Sequence, residues 1–399
     1  MENFDSDQQI NDNEPKTTSK TKVYAWGNGK FGNLGNGSDD YEALPYNVKQ
    51  LNNKGIVKVQ WGEWFCLALS ANGTLYGWGK WSRSRFGMTS PNDMITTPVV
   101  IPLKIKVKSF ACGYWHSLLI WNSGFVYSWG DNKKGALGLA HTDNVSEFTK
   151  ISDFENVEKV AAGSGFSLFV NTDGNLFSWG WKTANGQSKK GDVTVPTEIK
   201  SIEEPVTYID WGVEHAAAIT SSGSLYTWGA NSFNQLGHGS KFSSTKVQGT
   251  PKIVSSLEGV NVINVSCSKG LKHCQTAWTD SEGNAYFWGW GYKGKLGNID
   301  NWNHERDCDE ATPKRIKFEN VTWAISGGIH SSIIVDDGIL YTFGCGSHGR
   351  LGHQKYIDGK YRHLYKESQP KKVEAIEEVG KVVDYTSTYS SNVALVWLK

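Results

Sequence analysis

No run of apolar residues in this 399-residue chain approaches the roughly 18 that a membrane-spanning helix needs. The opening segment, MENFDSDQQINDNEPKTTSKTK, shows neither the basic-then-apolar pattern of a secretory signal nor the Arg-rich pattern of a transit peptide. Membrane insertion and secretion are therefore not expected; a cytoplasmic location is, with the nucleus as the second compartment. A surplus of charge is equally missing. Lys and Arg total 41 against 40 Asp and Glu, a net charge of +1, so no chain-wide field recommends nucleic acid or an anionic membrane as a direct partner. The six cysteines, at 66, 112, 267, 274, 308 and 345, form no Cys-x-x-Cys pair. That spacing suggests no zinc site, no redox motif and no disulfide framework, so neither metal nor cofactor is expected. The acidic stretch NHERDCDE holds His304, Asp307, Cys308 and Asp309, and its spacing matches no metal pattern.

Methionine and proline are scarce, at 3 and 10, whereas glycine and tryptophan are abundant, at 44 and 18. This balance favours short aromatic strands closed by glycine turns over helices, an all-β chain. The dipeptide Trp-Gly recurs at Trp26, Trp78, Trp129, Trp179, Trp228 and Trp288, with Phe343-Gly344 as a seventh member, in steps of 52, 51, 50, 49, 60 and 55 residues. An aromatic residue lies two positions before each anchor, from Tyr24 to Tyr341, which puts both rings on one strand face. Five residues before six of the anchors stands a glycine, as in ANGTLYGWG and TDGNLFSWG, and Asn-Gly or Asp-Gly between apolar runs is a hairpin signal. Eight residues after most anchors comes Leu-Gly, with Phe86-Gly87 in the second repeat and a departure at Gln187-Ser188 in the fourth.

This repeat decides the meaning of Gly27-Asn28-Gly29-Lys30-Phe31-Gly32, which satisfies the dinucleotide pattern G-x-G-x-x-G. The same pattern returns at Gly289 and Gly344, each time followed by turn residues rather than an amphipathic helix. Without a strand-turn-helix context there is no helix N-terminus for a pyrophosphate, so these glycines are read as structural punctuation. Seven units of about 50 residues, each too small to bury its own aromatic face, predict a seven-bladed β-propeller. The chain starts at an anchor strand, KVYAWG, and ends with VVDYTSTYSSNVALVW, which resembles the missing arm of that hairpin. Closure by pairing the N-terminal and C-terminal strands in one blade follows, with residues 1–21 a disordered polar arm and 22–399 a single, monomeric propeller domain.

The tag WGNGKFGNLGNG, the segments CGYWHSLLIWNSGFVYSWG and SGGIHSSIIVDDGILYTFG, and the count of seven resemble the regulator of chromosome condensation repeat over residues 22 to 399. The family's Gly-x-x-His element is matched by Gly113 to His116, Gly212 to His215 and Gly327 to His330. Phe65 and Phe166 replace the histidine in two repeats, Gly270 to His273 fits only with two extra residues, and the closing repeat has Ser391. The resemblance implies three kinds of function. One is guanine-nucleotide exchange on a small GTPase, although an acid follows the Trp-Gly tag only at Asp131. A second is ultraviolet-B light sensing by tryptophans clustered at the Gly-x-x-His loops; Trp64 and Trp115 fill two such positions, but Gly165 and Glu214 fill the next two. The third, adopted here, is a non-catalytic protein-interaction platform, with exchange on a small GTPase as the alternative. No nucleophile, carboxylate pair or metal spacing recurs around the histidines, so no catalytic residue is expected. The candidates for partner binding are Trp64, Trp115, His116, His215 and His330 at these loops, Asp131 after the tag, and Tyr356, Tyr361, Arg362 and Tyr365 in the long loop of the last repeat.

Overall fold

The computed structural model describes residues 20–81, 86–87, 92–151, 154–188, 191–239, 246–270, 274–297, 309–357, 360–363 and 365–399; from 355 to 363 the description stops at the backbone. Seven four-stranded antiparallel sheets form within it, one per repeat. Blades 2 to 7 cover 56–100, 107–150, 157–198, 206–253, 262–315 and 321–372. Blade 1 joins the two ends of the chain: Gly380–Ser387, Ser391–Leu398, Thr21–Gly27 and Glu42–Asn47 lie side by side in that order. The ladder between Ser391–Leu398 and Thr21–Gly27 runs without interruption from Gly27 opposite Ser391 to Thr21 opposite Trp397, as the sequence predicts.

The first strands of all seven blades line an axial channel, from Lys58 in blade 2 to Asp384 in blade 1. The fourth strands form the rim. In six of them a proline stands in the open edge, Pro45, Pro98, Pro196, Pro251, Pro313 and Pro370, where a missing N–H discourages pairing with another chain. Blade 3 has Phe148 at that place instead, turned inward onto Trp129 with ring centroids 4.5 Å apart.

The repeat's signature residues hold neighbouring blades together. Every anchor ring, Trp26 to Phe343, is fully buried. The indole N–H of Trp179 donates to the Ala136 carbonyl of the preceding blade at 2.7 Å, and Trp78, Trp228, Trp288 and Trp26 do the same to Asn33, Ala184, Gln235 and Arg350. Each accepting carbonyl comes immediately before the second tag. In the fourth repeat that tag is Asn185-Gly186, two residues earlier than the spacing of the others suggests, because its loop is shorter; Gln187-Ser188 lies beyond it. The glycine after each anchor has its own reason. At φ near +100° it turns the following amide onto the loop between the first two strands: Lys80 N–H bonds Trp64 O, Asp131 bonds Trp115 O and Asn28 bonds Ser390 O, at 2.8 to 3.0 Å. A Cβ on Gly79 would lie 2.4 Å from the Trp64 carbonyl oxygen. The Gly27 to Gly32 segment accordingly contains a single 3-10 turn, Lys30–Gly32, and no α-helix.

Candidate functional site

Each blade's first and second strands are joined by the short Gly-x-x-His loop, and the sequence of this loop sets what its residues can do. The imidazole, or the phenyl ring that replaces it, folds back over the glycine: a Cβ on Gly113 would lie 2.9 Å from His116 Cε1, and one on Gly62 only 1.9 Å from Phe65 Cε1. The spacing is thus a packing requirement. His116, His215 and His330 are 0 % exposed, and each spans to the next blade, with Nε2 at 2.8 Å from Ser167 Oγ, 3.1 Å from Thr276 Oγ1 and 2.7 Å from Asn392 Oδ1. Ser167 and Thr276 then donate to the Ala136 and Gln235 carbonyls that also receive the tryptophan N–H groups. Burial holds all three imidazoles down to about 3, so they are neutral at physiological pH. As partner-binding candidates these histidines are withdrawn: they are inter-blade latches with no surface to offer.

The latch also fixes the doubtful alignments. In blade 6 the position opposite the anchor glycine is Gln275, whose Nε2 donates to Ser331 Oγ at 2.7 Å; His273 lies outside the described residues. Where Phe166 takes the histidine's place, the partner position in the next blade is apolar, Ala216; where Phe65 does, the partner Ser117 is left with a buried hydroxyl that has no partner among the described residues.

Trp64 and Trp115 are different. The second variable residue of each loop, they are half-buried at the end of the ring that also carries the long loops between third and fourth strands. Trp64 meets Phe31 edge-on at 5.2 Å, with Lys80 Nζ 4.2 Å from the Phe31 centroid; Trp115 meets Tyr114 at 5.2 Å. Asp131 is brought beside Trp115 by the hydrogen bond its backbone N–H donates to the Trp115 carbonyl. Tyr365, 67 % exposed, lies at the foot of the blade 7 loop. Tyr356, Tyr361 and Arg362 fall on a separate two-stranded hairpin, Gln354–Ile357 with Lys360–His363, Tyr356 opposite Tyr361; their side chains lie outside the described residues, as do His304, Asp307 and Cys308. The structure therefore unites Trp64, Trp115 and Asp131 on one face and leaves the tyrosine loop as its own element.

The first variable residues, to which no repeated motif draws attention, point to the channel. Glu63, Tyr114 and Tyr389, together with Trp61, Trp64 and Trp211, line a cavity of about 300 Å³ at the channel mouth, closed on one side by Lys269. Aligning these loops position by position carries the signal, since Glu63, Tyr114 and Tyr389 occupy one register. Lys269 Nζ is 3.2 Å from Asp210 Oδ1, donates to the Trp211 carbonyl and lies 3.8 Å from the Trp211 ring centroid. Burial raises the Tyr114 hydroxyl far above its usual range, and the neighbouring Glu63 carboxylate raises it further. Among the described residues no group of three or more His, Cys, Asp and Glu is placed to share a metal ion, and no helix is long and apolar enough to cross a membrane.

Seven four-stranded blades closed by the chain ends, with a loop-bearing end over an axial channel, define a class of β-propellers. The chain belongs to the RCC1-like domain family: that family's model matches residues 17–333, and the regulator of chromosome condensation (RCC1) repeat matches 337–395. It is 30% identical over 372 residues to the Ultraviolet-B receptor UVR8 of Arabidopsis thaliana, covering 90% of this chain and 79% of that protein. It is 27% identical to the mitochondrial RCC1 domain-containing protein RUG3 of the same plant, over 86% of this chain and 80% of that one. Among solved structures, yeast RCC1 (Prp20) bound to Kap60 superposes with a TM-score of 0.81 at 19% identity, covering 100% of this chain and 95% of that one, a likeness of fold.

Proposed function

We propose that this propeller is a non-catalytic interaction platform whose protein partner seats on the end of the ring bearing the Gly-x-x-His and third-to-fourth-strand loops. The observation that carries this reading is the set of half-buried aromatic side chains gathered there, Phe31, Trp64, Trp115, Phe233 and Trp290 with the more exposed Tyr389. Aromatic rings held at a rigid, partly wet surface are what the centres of protein interfaces are made of, and loops on a stiff scaffold are where such surfaces concentrate. A small GTPase is the alternative partner, in which case the platform would act as an exchange factor by binding the nucleotide-free state best; Prp20p of Saccharomyces cerevisiae, which shares the fold, binds Gsp1p and histones. The cytoplasm, with the nucleus second, is the compartment this reading favours.

The test is purification of the tagged protein from its own cells with EDTA and without added GTP, in parallel with a Trp64→Ala, Trp115→Ala double variant. Partners lost from the variant and indifferent to GTP and magnesium support the platform. A stoichiometric GTPase released by GTP and magnesium selects the exchange factor instead. Partners retained in full by the double variant refute the proposed face.

A further inference from the structure

The channel-mouth cavity carries more chemistry than a generic interface needs. Its wall is built of aromatic rings, Trp61, Trp64, Tyr114, Trp211 and Tyr389, which come from four different blades. Two charged side chains complete it. Lys269 is committed to Asp210, the Trp211 carbonyl and the Trp211 ring, so its charge is met within the wall. Glu63 brings a carboxylate to which the neighbouring Tyr114 hydrogen-bonds. Ring faces and a carboxylate together make a concave and largely apolar surface. One ring of the wall already holds a cation on its face, the ammonium of Lys269 lying 3.8 Å from the Trp211 centroid. Trp61, 2 % exposed, contributes only a sliver of its ring to the wall.

The kind of cation follows from hydrogen-bond accounting. A guanidinium would bring five N–H donors, and an unmodified lysine three, into a wall with few acceptors besides Glu63. Each donor left unmet would cost free energy. A trimethylammonium brings none, keeps its charge, and spreads it over methyl groups that pack on rings. We propose that this cavity is a binding site for a quaternary ammonium group, presented as a trimethylated lysine in an extended segment of a protein partner. This deepens the platform reading and rests on it: the methylated side chain of a partner seated on the loop-bearing end would enter the ring of aromatics.

The test is a titration of the full chain, followed by calorimetry and by quenching of tryptophan fluorescence. Three short peptides of one sequence serve as probes, carrying trimethyllysine, lysine, or the uncharged isostere in which carbon replaces the quaternary nitrogen. The trimethyllysine peptide is expected to bind roughly tenfold more tightly than the isostere, the size of a desolvated cation–π contribution. Glu63→Gln keeps the shape of the wall and removes its charge, so it should narrow that gap while leaving isostere binding alone; Tyr389→Ala, at an exposed position, should weaken both. Equal binding of trimethyllysine and isostere overturns the proposal, since the site would then be a plain apolar pocket. Phosphocholine competing more tightly than the peptide also overturns it, by assigning the site to a lipid headgroup. If no probe binds while Trp115→Ala still releases the cellular partner, the ammonium site fails and the platform stands; if neither responds, both readings fall.

Discussion

The two ends of the ring are made by the same seven repeats, yet they are built on opposite plans. At one end the second strand turns into the third through three small or polar residues, such as Ala71-Asn72-Gly73, Thr172-Asp173-Gly174 and Ser281-Glu282-Gly283, with the glycine at positive φ. These turns lock to the next blade chiefly by main chain: the Gly73, Gly124 and Gly174 carbonyls accept the amides of Val107, Val157 and Val206, and an exposed Lys381–Asp337 pair adds a side-chain contact at blade 7. At the other end the connections run to the lengths of 231–246 and 346–365, and the lock is made by buried side chains, the tryptophan and histidine latches. Because those latches lie beneath the loops, the tips above them are free to carry Trp64, Phe31 or Trp290 without touching the fold. One end is structure throughout; the other separates structure from surface.

The most severe way to break this comparison is to remove what both ends share. Deleting 392–399 takes away the strand that pairs with Thr21–Gly27 and with Gly380–Ser387. Both ends should fail together, and circular dichroism should show no cooperative melting transition. Retention of a native-like melt would mean that closure of blade 1 is dispensable.

Next in size is acid. His116, His215 and His330, held to about 3 when folded, return to about 6.5 on unfolding. The unfolded chain therefore binds more protons between these values, and stability is complete above about pH 6.5 and lost as pH falls toward 3. Lowering pH to about 5.5 should cost ~1.4 kcal/mol per histidine, roughly 4 kcal/mol together, and His238 and His353, both lowered by burial to about 4, push in the same direction. His116→Phe copies what blades 2 and 4 already contain, and should remove about a third of that acid loss; urea melts at the two pH values read it directly. An unchanged pH slope in this variant would show that the latch does not titrate on unfolding.

Trp179→Phe is milder, because Ala136 O keeps its bond from Ser167 and Phe343 shows that the ring position tolerates phenylalanine. A loss of about 2 kcal/mol is expected from one hydrogen bond and some packing. Hydrogen exchange should quicken first at the blade 3 loop, the side-chain-latched end, and the main-chain-locked turns should be spared.

Periodicity exposed the latched half of this architecture well before coordinates. Trp-Gly, the hairpin glycines and the terminal half-blade were legible because each must recur wherever a blade meets a blade. The histidines misled for the same reason: a repeated polar residue beside a loop looks like a surface feature, and only the neighbouring strand, through Ser167, Thr276 and Asn392, shows that it is buried with its Nε2 bonded across the blade boundary. The cavity was hidden differently. Trp61 and Trp211 end first strands, Glu63, Tyr114 and Tyr389 sit in loops of three separate blades, and Lys269 belongs to a fourth. Nothing local in sequence joins these residues, since it is the curvature of the ring that makes them neighbours.

The smallest expected change in stability is the one that most sharpens the contrast between the ends. Trp115→Ala removes a half-buried ring from the loop end, and Asp173→Ala removes an exposed carboxylate from the turn end. Each should shift unfolding by only about 1 kcal/mol or less, as surface substitutions do. Their effects on partner capture should diverge: an interface anchor of this type is worth about 2 kcal/mol, a loss of more than tenfold in affinity, whereas the turn-end variant should bind as the parent does. Measured side by side by surface plasmon resonance on the recovered partner, equal losses would place the partner across the rim, and a loss confined to Asp173→Ala would move the binding surface to the end that the packing argument assigns to structure alone.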